Sequence, residues 1–413
     1  MHDTCFSTAF LPPCSHAIVR AILVLSGKGG KPMAKAVQSY TAVGISPTVR
    51  GVLKREQIQT NIDHIHEVCA AACWLSSLDL PVRLIVIPEG ALQGFTDEVF
   101  DWEHKKYADE VAIDIPGPET ALLGKIAQEF NAYVVATAKA REPEFPGLFF
   151  NSVFLISPRA QVLLRHRKNS PLFPVEHSVC PHDVWDKWVE IHGRSLDAFF
   201  PVADTEIGKI GLCMANEGSY PELIRGLAMN GAEVICRPAY PEPHVGNGAW
   251  EVQNRARALD NTCYLVAPNM GTYYLLPDSQ LPVDAFGGHS MIVDFKGRVI
   301  ARHDYGAGSS YCGGVLDIEA LREFRTRSPL MNWMKDLRTE LLALIYEQPI
   351  YPKNLWLKRS PMQHAEYKRE VTERQIQFMQ ERGIFTPPAR NGQARTKATK
   401  PTARVAKKKM SRS

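Results

Sequence analysis

No apolar run in this sequence is long enough to cross a membrane. The longest one near the start, AIVRAILVLSG, is short and broken by Arg20, whereas a spanning helix needs about 20 apolar residues. It has neither the charged start nor the cleavage site of a signal peptide. A disulfide framework is missing too: nine cysteines, an odd count, are scattered over 413 residues, which excludes a stapled secreted scaffold and suits a reducing cytoplasm. Metal-ligand spacing is equally absent. In HIHEVCAAAC, His66, Cys69 and Cys73 would share one helix face, but the alanine-rich surroundings mark that face for packing. SGKGGK resembles part of a phosphate loop, yet the second Gly-Lys and the Ser or Thr that follow in such a loop are replaced by Lys31, Pro32 and Met33. No metal, nucleotide or flavin is therefore expected.

What is present is a globular composition, 45% hydrophobic and 22% charged, sufficient for one large core or two ordinary ones. The net charge of +4 comes from the chain end: RNGQARTKATKPTARVAKKKMSRS, the last 24 residues, holds nine Lys or Arg and no acid, which leaves about −5 for residues 1–389. A segment so poor in apolar residues and so uniformly charged reads as a disordered, solvated tail over 389–413, with contact to anionic partners as the alternative. Nucleic acid is not expected as a partner, because a tail this short attracts weakly and only at low salt. At the other end, MAKAVQSYTAVGIS reads as a natural start at Met33 running into a strand, with residues 1–35 an extension outside the main fold.

From residue 36 onward, buried-strand runs alternate with amphipathic stretches. Strands are expected at 36–45, 82–89, 132–139, in a pair NSVFLISP and QVLLRHRK, in KIGLCMA, and at 232–238, 263–269 and 289–297; helices at 55–78, 117–130, after Ser219, and at 249–260. Alternation interrupted by hairpins implies mixed sheets with helices on their outer faces, an α/β layered fold.

Polar residues then fall at strand ends, where α/β sites are built. Glu89 closes the apolar run VRLIVIPE, and Lys168 follows Arg165, His166 and Arg167 at the end of another strand. IGLCMANEGSYPE runs from a strand into a sharp turn and a helix. In SYPE, Ser219 and Glu222 have capping-box spacing, Pro221 suits the first helical turn and Gly231 its end. A helix starting there directs its positive end at the turn, favouring an anion or developing oxyanion. The residue on the turn is Ala215.

Four motifs in this order carry a resemblance: VIPEGALQGF; LLRHRKNSPLFPVE; ANEGSYPELIRGLAMNGAEVI; and NRARALDNTCYLVAPN with FGGHSMIVDFKGRV. Over roughly residues 36–320 the chain resembles the nitrilase superfamily of carbon–nitrogen hydrolases, nearest its aliphatic amidase and formamidase branch. The resemblance implies a four-layer α-β-β-α sandwich and hydrolysis of a small amide or nitrile to acid and ammonia without a cofactor. In that family a Glu is the general base, a Lys stabilises the oxyanion, a Cys attacks the carbon, and a further Glu eight residues after the Lys positions the substrate. Glu89, Lys168 and Glu176 match three of these. The family's Cys lies six residues before the Pro of the PE pair, which is position 215, and here it is alanine, a side chain with no attacking atom.

Cys213 is two residues upstream on the same strand face, about 6.6 Å away, and reads as a core residue. Three readings follow: a hydrolase whose cysteine at 215 has been replaced; a natural member that activates water instead or binds a ligand without hydrolysis; and a binding protein defined by the basic tail. Asn216, Glu217, Tyr240 and Trp250 are candidate substrate contacts; for the two aromatics, packing is the alternative, and Glu217 alternatively serves the helix dipole. The insertion HSVCPHDVWDKWVEIHGRS reads as a lid or interface element. Residues 321–388 read as a helical extension, either for homo-oligomer contacts or packed on its own domain.

Overall fold

In the computed structural model, which describes residues 36–240, 247–284 and 288–388, the apolar runs pair into two six-stranded sheets. The extension 1–35 with its SGKGGK run, and the basic tail 389–413, lie outside the described residues. The first sheet has the spatial order Ser310–Leu316, Tyr40–Ser46, Val82–Val86, Tyr133–Arg141, Phe149–Ile156, Val162–Arg167. The second has Val299–His303, Ser290–Val293, Tyr264–Ala267, Val234–Cys236, Gly208–Leu212, Val202–Thr205. In each, three central strands run parallel and the flanking ones antiparallel, so the two sheets repeat one pattern.

Strand periodicity sorts side chains into layers. Val43 and Ile45 of Tyr40–Ser46 face the helices Ile58–Ser76 and Pro118–Glu129, meeting Ile62, Ile65, Cys69, Leu123 and Ile126. Ala42, Leu84, Val86 and Val135 face the second sheet's Ile210, Leu212, Val234 and Val266. On the far side of that sheet, Ile235, Leu265 and Met291 meet Ile224 and Leu227 of Pro221–Met229 and Ala258 of Ala249–Asn261. The result is the α-β-β-α sandwich expected. Cys69 and Cys73 are buried in the first cluster, while His66 turns outward to Glu129 at 2.8 Å. Among the described residues no helix is long and apolar enough to cross a membrane.

Two expectations are corrected. The helix Ile318–Arg327 buries Ile318 and Leu321 between the sheets, so the sandwich continues past residue 320. Beyond it the extension is only partly helical: Thr339–Ala343 continues as a 3₁₀ turn to Tyr346, and regular structure returns at His364, running to Glu381. Pro349 and Pro352 interrupt the amphipathic pattern between them. Trp356, Tyr367 and Val371 pack on Val184 and Trp188 of the insertion and on Phe150, so this part of the extension covers its own domain.

Candidate active site

The pleat brings Glu89 and Lys168 together. Glu89 stands three residues past Val82–Val86, beyond Ile87, whose N–H still pairs with Val135. Lys168 follows Val162–Arg167 and continues its pairing through an N–H bond to the Asn151 carbonyl. Lys168 Nζ donates to Glu89 Oε1 at 2.8 Å and to Glu176 Oε1 at 2.5 Å. Asn151 Nδ2 donates to the same Glu89 oxygen at 2.8 Å, and the Leu172 N–H holds Glu176 at 2.9 Å. All of these side chains are buried.

Burial pushes the Glu89 carboxyl above its ordinary value; the Lys168 ammonium opposes this and the Glu176 charge adds to it. Burial alone would lower Lys168, but the Glu176 and Glu89 carboxylates hold it above its ordinary value. A second buried cation lies nearby: Lys139 contacts Asp97 and, at 2.9 Å, Glu98, and burial pushes Glu98 up to about 8. Asn151, Lys139, Asp97 and Glu98 are absent from the motif reading; a lysine and an asparagine inside otherwise apolar strands are their only sequence signal.

The turn after Gly208–Leu212 is built around Ala215, a non-glycine residue at φ +37, a conformation that costs energy and is typical of functional turns. Its N–H bonds the Pro238 carbonyl at 2.9 Å and its carbonyl accepts from Arg237 Nε at 2.8 Å. Gly218 is required here, because a Cβ on it would stand 2.1 Å from Arg237 Nε. Cys213 is buried in the layer between the second sheet and its helices, where burial pushes its thiol well up, the setting of a core residue.

Residues 41–325, more than half of the chain, match the family described as carbon-nitrogen hydrolase. The chain belongs to the carbon–nitrogen hydrolase family. Among its relatives are a formamidase of Bacillus cereus, 28% identical over 258 residues covering 60% of this chain and 69% of the relative, and one of Bacillus thuringiensis, 29% identical over 231 residues covering 55% and 60%. The chain thus spans 60–69% of the length of those relatives. Its fold matches a carbon–nitrogen hydrolase of Helicobacter pylori (TM-score 0.60, 19% identity, 75% of this chain and 99% of the other). It also matches a cysteine-to-alanine mutant of the Nesterenkonia amidase of the nitrilase superfamily (TM-score 0.54, 19% identity, 74% and 97%).

Elsewhere around the turn the expectations need correction. Ser219 and Glu222 form no capping box: Tyr220, extended because a proline follows it, takes the N-cap position. Ser219 instead lies in the 3₁₀ turn Ala215–Ser219, and Glu222 bonds the Tyr346 hydroxyl. Pro221 and Glu222 are exposed. Glu217 is fully engaged: it accepts from the Asn169 and Met214 N–H groups at 2.8 and 2.9 Å and meets His166 Nε2 at 3.0 Å, so it holds the turn rather than a substrate. Trp250 is packed, with the Arg237 guanidinium 4.4 Å from its ring and its indole N–H on the His289 carbonyl. Tyr240 stacks on Phe95 at 4.4 Å, and 241–246 lie outside the described residues. Asn216 Nδ2 donates to the Ser170 carbonyl at 2.7 Å, leaving its Oδ1 buried without a partner.

Proposed function

We propose that this chain carries an amidase-type site for a small amide, in which position 215 is the place of the attacking atom and is filled by alanine. The observation that carries this reading is the buried contact of one ammonium, Lys168, with both Glu89 and Glu176, next to the turn that presents Ala215. In this reading the carbonyl oxygen develops its charge against Lys168. Glu89, whose carboxyl is raised by burial, is the base. Asn216 Oδ1, lacking a partner, receives the amide N–H. The formamidase relatives favour amides over nitriles.

Without a nucleophilic side chain no acyl-enzyme forms, and hydrolysis runs through water. Glu89 takes a proton as the water oxygen bonds the carbonyl carbon, and the resulting oxyanion pairs with Lys168. The C–N bond then breaks as Glu89 returns the proton to nitrogen, releasing acid and ammonia. Loss of a covalent nucleophile costs about 10⁶ in turnover, and roughly 10³–10⁴ over water survives from binding and oxyanion contacts. A second reading, an amide-binding subunit without turnover, rests on the same Ala215. We further infer a homo-oligomer, from the exposed Leu341, Leu344 and Ile345 of the extension, and a reducing, cytoplasmic setting, with which the seven described cysteines, all free, agree.

The test is turnover of an amide panel, from formamide through branched aliphatic to aryl amides, by the parent and by Ala215→Cys, with mass spectrometry for an acyl adduct. A gain of orders of magnitude with an adduct on the introduced thiol upholds the amidase site. Turnover by the parent without an adduct upholds the water route, and binding without turnover in either protein leaves the binding subunit. Neither binding nor turnover in both proteins overturns the proposal.

A further inference from the structure

Outside this site, two histidines converge on one carboxylate. His177 Nε2 stands 3.0 Å from Asp101 Oδ1 and His364 Nδ1 stands 3.8 Å from the same oxygen; the ligand atoms of the three all lie within 4.8 Å of one another. Each ring has its other nitrogen on a backbone carbonyl: His177 Nδ1 on Trp102 at 3.0 Å, and His364 Nε2 on Val175 at 2.8 Å. A carbonyl only accepts, so those nitrogens carry the protons, and in the neutral rings His177 Nε2 and His364 Nδ1 present lone pairs.

Lone pairs and a carboxylate facing one another repel unless a proton or a metal cation lies between them. His177 Nε2 is buried and makes no hydrogen bond in spite of its closeness to Asp101, and the His177 side chain is 3% exposed. Asp101 is held against the C-terminal segment by two hydrogen bonds, its Oδ1 accepting the His364 backbone N–H at 3.0 Å and its carbonyl accepting from Gln363 Nε2 at 2.9 Å. Histidines whose second nitrogen is fixed by a backbone carbonyl are the usual surroundings of a bound metal.

We propose that Asp101, His177 and His364 form a site for a divalent transition cation, zinc by its ligand types, that clamps the C-terminal segment onto the loop carrying Glu176. Two imidazoles and a carboxylate suit zinc better than magnesium or calcium. A tetrahedral zinc ion sets its ligand atoms about 3.4 Å apart, so the side chains need shift little. Asp101 and His364 are part exposed, which leaves the fourth position to water. His177 adjoins Glu176, and His364 opens the last helical run, so the ion would join two segments that no covalent connection holds together.

The experiment is titration of metal-stripped full-length protein with zinc by calorimetry, with metal content measured after gel filtration, on the parent, His364→Ala and Asp101→Asn. Other thiols and imidazoles are common to all three proteins, so the difference in stoichiometry reports this site. The parent is expected to bind one equivalent more than either variant, to melt higher with zinc than with chelator where the variants do not, and to show with cobalt a four-coordinate visible band that His364→Ala lacks. Equal stoichiometry in all three overturns the proposal. Should His364→Ala fail to fold by circular dichroism, Asp101→Asn, which keeps size and an acceptor oxygen, decides alone.

Discussion

Glu217, on the turn of the second sheet, meets the ring of His166, on the last strand of the first, at 3.0 Å with both side chains buried. One carboxylate therefore joins the two sheets at the level of Lys168 and Ala215. Glu217→Ala strands the Asn169 and Met214 N–H groups as well as the imidazole. The expected loss is on the order of 3 kcal/mol, read as a lower urea midpoint, and Glu217→Gln should lose less. An unchanged midpoint for Glu217→Ala would show that the clamp carries no stability.

The charge of Glu176 raises Glu89. Glu176→Gln removes that repulsion, so the acid limb of the pH–rate profile for amide hydrolysis should move to lower pH, measured in the Ala215→Cys background where rates are readable. Movement to higher pH would contradict the assignment of Glu89 as the base.

Asp183 is buried, accepts one N–H bond from Cys180, and has its carboxyl pushed by burial from 3.8 to about 6. A raised folded value means its contribution to stability is complete below about pH 4 and is lost as pH rises through 6, up to about 3 kcal/mol. Asp183→Asn should therefore gain on the parent between pH 4 and pH 7. Denaturant midpoints of the two proteins across that range check it, and parallel curves would refute it.

The apolar side chains of Thr339–Tyr346 have exposures from 40% at Leu342 to 64% at Leu341 and Ile345, a patch of the kind that marks an interface. Sedimentation of the parent at micromolar concentration should show an oligomer, and Leu344→Glu should shift it toward monomer. A monomeric parent would end the interface reading.

Short-range patterns carried most of what was legible. Val43 and Ile45 alternate with Ala42 strictly enough to give strand, face and layer; Glu89 is visible because it stops an apolar run, and Lys168 because it closes a strand after the basic run Arg165, His166, Arg167. The capping box failed by one residue, since Pro221 dictates the conformation of Tyr220 and leaves Ser219 too early. Partnerships between distant residues were illegible: Asn151 meets Glu89 across 62 positions and Lys139 meets Glu98 across 41, and no spacing announces either. Asp101, His177 and His364 escaped for the same reason. The extension looked more helical than it is because two amphipathic stretches, LRTELLALIYEQP and YKREVTERQIQFMQERG, flank a segment that Pro349, Pro352 and Pro361 keep from coiling.

The strand Ser310–Leu316 lies along Tyr40–Ser46 in antiparallel register, so the last strand of the sandwich completes the neighbour of its first. During synthesis Tyr40–Ser46 leaves the ribosome roughly 270 residues ahead of the strand that seals it, which at about 5–20 residues per second means roughly 15–50 s with an open, apolar edge. The nascent chain is thus most vulnerable to sticking to its neighbours while Glu89, Lys168 and Glu176 have already emerged, and a holding chaperone is most needed just before Ser310–Leu316 leaves the ribosome.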